Sequence, residues 1–121
     1  MLALPKEFQA YRRVQETRTP REQEADVFAI AAGRMRLAAT DGTDMDRVRA
    51  RADARRLFSA LRLAVMDPAN QLPVPLRASI ASVCEAALRE VEQEKADFEF
   101  LAGICDDFRA GLSTPVAGSA P

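Results

Sequence analysis

The chain has 121 residues, enough for one hydrophobic core and not for two. Apolar residues make up 48% of it and aromatics 6%, with no tryptophan and no histidine, and 17 basic side chains nearly cancel 18 acidic ones. That balance fits an ordinary globular protein and argues against a strongly basic nucleic-acid binder, while few strand formers beside abundant Ala and Arg predict an all-α fold.

The near-neutral total hides a split. Residues 1–66 carry 13 basic and 9 acidic groups (+4), and residues 67–121 carry 4 and 9 (−5), which together give −1. Two faces of opposite sign follow, either simply solvated or used to guide a partner. Cys84 and Cys105 lack C-x-x-C spacing and have no histidine beside them, so they read as small buried hydrophobes in a reducing compartment. Neither metal nor cofactor is expected. No run approaches the roughly 20 apolar residues of a membrane span, and Met1 to Pro5 is too short for a signal-peptide core before Lys6. A cytoplasmic location is expected.

Leu4, Phe8, Tyr11 and Val14 recur at helical spacing behind Pro5, predicting a short amphipathic helix over 5–17. Thr19-Pro20 ends it and starts the next: Thr19 as cap, Pro20 at the first position and Glu22 three residues on form a capping-box pattern. The helix over 20–39 places Glu24, Val27, Phe28, Ala31, Met35 and Ala38 within a third of the wheel, with Ile30 and Leu37 opposite. Apolar residues on two sides mean either a central position in a bundle or a second face offered to a partner. Thr40-Asp41-Gly42-Thr43 is a turn, with Gly42 free for positive φ and Thr43 or Asp44 as the next cap.

The helix over 44–66 carries a main stripe of Ala50, Ala54, Leu57, Phe58, Leu61 and Val65, and a second apolar group of Met45, Val48, Ala52, Leu63 and Met66. Of its arginines, Arg51, Arg55 and Arg62 project together beside the main stripe. A proline-rich corner at 67–74 follows, opened by Asp67-Pro68 and stiffened by Pro73 and Pro75. Leu76, Ile80, Val83, Ala87 and Val91 then make the stripe of a helix over 75–94. A break with Asp97 as cap leads to a last helix over 97–112, striped by Phe98, Leu101, Ile104, Cys105, Phe108 and Leu112. The expectation is one domain, 1–112, a small bundle of about five helices, with a disordered tail over 113–121 rich in small and turn residues.

Three segments, A-Y-R-R-V-Q (10–15), T-P-R-E-Q-E-A-D-V-F (19–28) and N-Q-L-P-V-P-L-R-A-S-I (70–80), resemble in order and separation the flagellar biosynthesis regulator FlaF family of alphaproteobacteria. The matching positions are Tyr11, Pro20, Arg21, Glu24, Phe28 and Phe58, and then Asn70, Leu72, Pro73, Leu76, Arg77 and Ile80. The chain departs from the family pattern at Ala54, where Asn is frequent, at Phe58 and near Ala86, where Trp stands, and along Ile104 to Asp107. The resemblance implies a cytoplasmic secretion chaperone for flagellin that also acts on flagellin synthesis, with the translational regulator FlbT as a possible second partner.

A bundle with spare apolar faces suits helix-in-groove docking of an amphipathic flagellin segment. The doubled faces of the helices over 20–39 and 44–66 make Ile30, Leu37, Met45, Val48 and Leu63 the candidate partner contacts. The rival readings are an RNA-binding regulator of flagellin messenger RNA that uses the arginines on phosphate, and an adaptor to another regulatory protein. An enzyme is not expected. Ser79 and Ser82 have no base, Asp106-Asp107 and Glu92-Glu94 have no companion acid or metal ligand, and no small-molecule substrate is implied.

Overall fold

A computed structural model describes residues 19–113. They form four helices, α1 (Pro20–Thr40), α2 (Asp44–Met66), α3 (Val74–Val91) and α4 (Phe98–Ser113), with no strand among the described residues. The all-α expectation holds, with four helices here in place of about five. The helix expected over 5–17 and the tail from residue 114 lie outside the described residues.

Each start has a local cause. The Thr19 hydroxyl accepts from the Glu22 N–H at 3.1 Å, with Pro20 in the first turn of α1. A reciprocal capping box opens α2: the Asp46 N–H donates to Thr43 Oγ1 at 3.1 Å, and the Thr43 N–H donates to Asp46 Oδ2 at 2.9 Å. That contact holds the Asp46 carboxyl below its ordinary range. The break before α4 is also real. Helix α3 stops at Val91, three residues short of the expected 94, and Asp97 Oδ1 caps α4 by accepting from the Phe100 N–H at 3.0 Å.

Gly42 corrects the reading of its turn. No described glycine has positive φ; instead a Cβ at Gly42 would lie 2.6 Å from Ala38 Cα and 2.9 Å from Leu37 O. The requirement is close approach of two backbones, because α2 leaves directly under the last turn of α1. Gly42→Ala should therefore cost about 1–2 kcal/mol by forcing the turn to move, read as a lower chemical-denaturation midpoint at unchanged helicity.

Helix α1 packs mainly along α4 and α2 mainly along α3; α1 and α2 join these two pairs, and α3 and α4 scarcely touch. The largest fully buried side chains come from all four helices: Met35, Phe58, Cys84, Val91, Leu101 and Cys105. Alanines at 31, 32, 38, 50, 54, 87 and 102 fill the space between them and let the helices approach closely. Both cysteines are free and buried. Burial pushes both thiols up, Cys105 to about 12, which keeps them protonated and unreactive near neutrality.

Two expected stripes are redrawn by this arrangement. On α1, Ala25 and Ala32 join the buried face while Val27 and Glu24 are exposed. On α3, the buried line is Cys84, Ala87 and Val91, whereas Leu76 and Val83 face outward at 47% and 39% exposure. With α4 diverging, α3 has one partner helix rather than two, and the outer half of its stripe stays uncovered.

Charged pairs fix the layers. Arg36 donates to Asp106 at 2.5 Å and to Glu99 at 3.3 Å, tying α1 to α4 and holding the Asp106 carboxyl below its ordinary range. Arg34 reaches Asp53 at 3.1 Å across α1 and α2. Arg55 pairs with Glu92 at 2.7 Å and Arg62 with Glu85 at 3.3 Å, both joining α2 to the α3 side.

Candidate functional site

Part of the uncovered apolar surface gathers at one end of the bundle. There the first turns of α1, the last turns of α2, the 67–73 corner, the second turn of α3 and the second half of α4 surround a cleft of about 440 Å³. Its buried and half-buried wall is Phe28, Leu57, Leu61, Val65, Ile80 and Phe108, and the Phe28 and Phe108 rings sit 5.5 Å apart, tilted by 35°. Its exposed edge carries Val27, Ala60, Ala64, Leu72 and Glu24, the one charged residue lining it among the described residues. Glu24 has no ion-pair partner among the described residues.

The corner is rigid because its own side chains satisfy its backbone. Asp67 Oδ1 accepts from the Ala69 N–H, and Asn70 Oδ1 from the Leu72 N–H, both at 2.9 Å. Asn70 Nδ2 donates to Ala64 O at 3.0 Å, which ties the corner to the end of α2. From the far side Arg77 donates to Leu72 O at 3.1 Å and Asp67 O at 3.3 Å. Pro73 stands as N-cap of α3 without a side-chain bond, Pro75 following in the first turn. Together these fix Leu72, 39% exposed, at the mouth of the cleft. Leu76 and Val83 continue the apolar surface along α3.

Most of the positions that carried the resemblance meet at this end. Glu24, Phe28, Asn70, Leu72 and Ile80 line the cleft, Arg77 braces it, Pro73 turns the chain and Leu76 is exposed beside it. Arg21 donates to Gly111 O at 2.8 Å, joining the start of α1 to the end of α4. Phe58 is wholly buried in the centre, and Tyr11 lies outside the described residues.

The five candidate contacts chosen from the doubled faces are all on the surface, from 41% exposed at Ile30 to 75% at Leu63, but they do not form one groove. Ile30 lines a seam between α1 and α2 with Val27, Arg34, Arg56 and Leu57. Leu37 sits further along, among Arg34, Asp46, Arg49 and Asp53. Val48 borders a polar recess near the start of α4, with Arg47, Arg51, Lys95 and Glu99. Met45 and Leu63 fall on the side of the α2 wheel away from Ala54 and Phe58.

Sequence reasoning missed Val27, Leu61, Leu72 and Phe108 as a set, since each belongs to a different element. Clustering of the third motif around a corner rather than in a helix interior was the available signal.

The arginines singled out on α2 are engaged within the chain. Besides the pairs of Arg55 and Arg62, Arg47 bonds Asp44, and Arg51 donates to the carbonyls of Val91, Gln93 (2.8 Å) and Glu94 (3.2 Å) at the end of α3. Among the described residues no group of three or more Asp, Glu or Cys could hold a metal ion, and no helix is long and apolar enough to cross a membrane.

Comparison with known proteins returns no match among curated proteins or solved structures. A family model does match, that of flagellar protein FlaF, over residues 7–112, which takes in all four helices but the last residue of α4. The helical architecture and the motif-bearing corner fall inside that match, and the chain belongs to the FlaF family of flagellar proteins.

Proposed function

We propose that this flagellar protein is a secretion chaperone for flagellin that docks an amphipathic helical segment of its client in the cleft at the corner end of the bundle. The observation that carries the reading is the cleft itself. It is walled by Phe28, Leu61, Ile80 and Phe108, continues over Leu72 and Leu76, and stands on a corner held by Asn70 and Arg77.

An apolar groove between helices accepts one face of an amphipathic helix, and a preformed wall spends none of the binding energy on ordering itself. The client segment must order on binding, which costs free energy that burial of apolar surface has to offset. The surface arginines are less available to phosphate than their number suggests, because four on α2 (Arg47, Arg51, Arg55 and Arg62) already bond carboxylates or carbonyls, so the chaperone reading is favoured over RNA control.

The test is titration of purified protein with flagellin monomer, followed by calorimetry and size exclusion. Leu72→Ser with Leu76→Ser should weaken binding at least about tenfold while leaving the helical signal unchanged, since burial of each leucine contributes about 1.5–3 kcal/mol. Ile30→Ser with Leu37→Ser is the control pair. If the control pair abolishes binding and the corner pair does not, the client sits on the α1–α2 seam. If wild type binds the translational regulator FlbT and never flagellin, the protein is an adaptor.

A further inference from the structure

We infer that the outer face of α2 is a second docking surface, separate from the cleft, and that its occupant is an acidic amphipathic helix of another protein, laid along α2. This surface goes beyond the chaperone reading and does not depend on it.

The bundle uses only one of the two apolar sides of α2. Ala50, Ala54, Phe58 and Val65 are buried, while Met45, Val48, Leu63 and Met66 stand away from them at 54% to 75% exposure. With Ala52, Arg56 and Ser59 between them, these four recur every three or four positions from one end of the helix to the other. At about 1.5 Å per residue, the strip from Met45 to Met66 is about 32 Å long. Such a repeat is what one helix presents to another lying along it. The small side chains of Ala52 and Ser59 let a facing helix come close in the middle, and the two methionines adapt to its side chains at the ends. On the wheel the strip lies roughly a third of a turn from Leu57, Leu61 and Ala64, which line the cleft. The two surfaces are therefore distinct.

Charge decides which kind of helix fits. The carboxylates of α2, Asp44, Asp46 and Asp53, all fall outside the strip, whereas Arg49 and Arg56 fall on it. The bundle leaves these two arginines underused. Asp53 lies 3.1 Å from Arg34 but 3.9 Å from Arg56, whose side chain is 79% exposed. Arg49 forms no ion pair among the described residues, and Asp46 is engaged by the Thr43 N–H.

Arg49 and Arg56 are two helical turns apart, about 10.5 Å along one side of α2. A facing helix meets both with two carboxylates at the same separation beside its own apolar stripe, as flanking charges do when paired helices choose partners. Phosphate would satisfy the guanidiniums and leave four large apolar side chains in water. A lipid layer would cover those side chains and bury Arg56, which stands among them. An acidic helix covers both kinds of group at once.

The probe is a synthetic helix of about 24 residues with Leu at its heptad core positions and Glu at the flanking ones, beside a neutral Gln version. With the labelled peptide kept dilute, fluorescence anisotropy against the full chain should show the Glu peptide binding at least about fivefold tighter than the Gln peptide at low ionic strength, the advantage shrinking as salt is added. Arg49→Glu with Arg56→Glu should reverse the preference in favour of a Lys version, and Leu63→Asp should weaken the Glu peptide at least about tenfold. Circular dichroism should show each variant as helical as wild type, because every substituted side chain is exposed. Leu72→Ser with Leu76→Ser should leave peptide binding unchanged. Equal binding of the Glu and Gln peptides, or a preference indifferent to the two arginines, overturns the inference. So does loss of binding through the corner pair, which puts the peptide in the cleft. If polyuridylate or phosphatidylglycerol vesicles retain the chain through Arg49 and Arg56 while the Glu peptide does not bind, the surface is for nucleic acid or lipid. If wild type alone sediments as a dimer that Leu63→Asp dissociates, the strip is covered by a second copy and the inference fails.

Discussion

Phe58→Ala should destabilise the protein by about 3–5 kcal/mol, lowering the thermal midpoint by about 10–20 °C in a chain of this size. Phe58 is completely buried on α2 and belongs to the cluster that draws Met35 from α1, Cys84 and Val91 from α3 and Leu101 and Cys105 from α4. Nearly half of the other buried residues of that cluster are alanines, which have no side-chain length with which to close the hole. Most of the cavity left by the ring would therefore persist, and the cavity cost adds to the lost transfer energy. Phe58→Leu should recover more than half of the loss by keeping most of the volume. Differential scanning calorimetry and urea unfolding give the two values independently. A loss below about 1 kcal/mol for alanine would mean that the helix pairs slide together around the gap, and that the packing of α1–α4 against α2–α3 is soft.

The second large effect is expected at Arg51. Its guanidinium gathers the carbonyls of Val91, Gln93 and Glu94, the groups left without intrahelical donors where α3 ends and the chain turns toward α4. A cation at a helix C-terminus also meets the negative end of the helix dipole. Arg51→Met retains much of the apolar stem and removes every one of these bonds. About 1.5–3 kcal/mol should be lost, since hydrogen bonds from a charged donor are at the strong end of the range and water replaces part of what is removed. Amide exchange at Gln93 to Asp97 should accelerate more than exchange in the middle of α2. Uniform acceleration across the chain would show instead that Arg51 acts through global stability alone. Arg51→Lys should restore little, because a single ammonium cannot span three carbonyls as a planar fork does.

These two residues separate what local pattern reveals from what it leaves open. Phe58 lies on the main stripe of its helix, and that stripe, with Ala50, Ala54 and Val65, is buried as periodicity predicts. Arg51 was legible only as one of a group of arginines beside the stripe. Its use as a cap for another helix depends on where α3 ends, which no spacing within α2 encodes.

Glu24 and Leu76 show the converse: both lie on apolar-facing positions of their wheels, and both are exposed. The wheel gives the direction of a side chain from its own axis, and burial needs a second helix on that side. The candidate contacts Ile30, Leu37, Met45, Val48 and Leu63 were legible as surplus apolar residues, but membership in one groove requires the positions of several axes at once.

By itself, then, the sequence determined the all-helical class, the starts at Thr19 and Thr43, the stop at Asp67-Pro68, the Asp97 cap and the central stripes, because each depends on interactions within a few residues along the chain. Tertiary structure alone decided that α3 and α4 scarcely touch, that Gly42 is needed for backbone clearance rather than for its dihedral freedom, and that five elements meet around one apolar cleft. The reason is physical. Capping and helix periodicity are short-range and additive, whereas a cleft is the space left between helices, and its shape follows from packing angles set by dozens of contacts distributed over the whole chain.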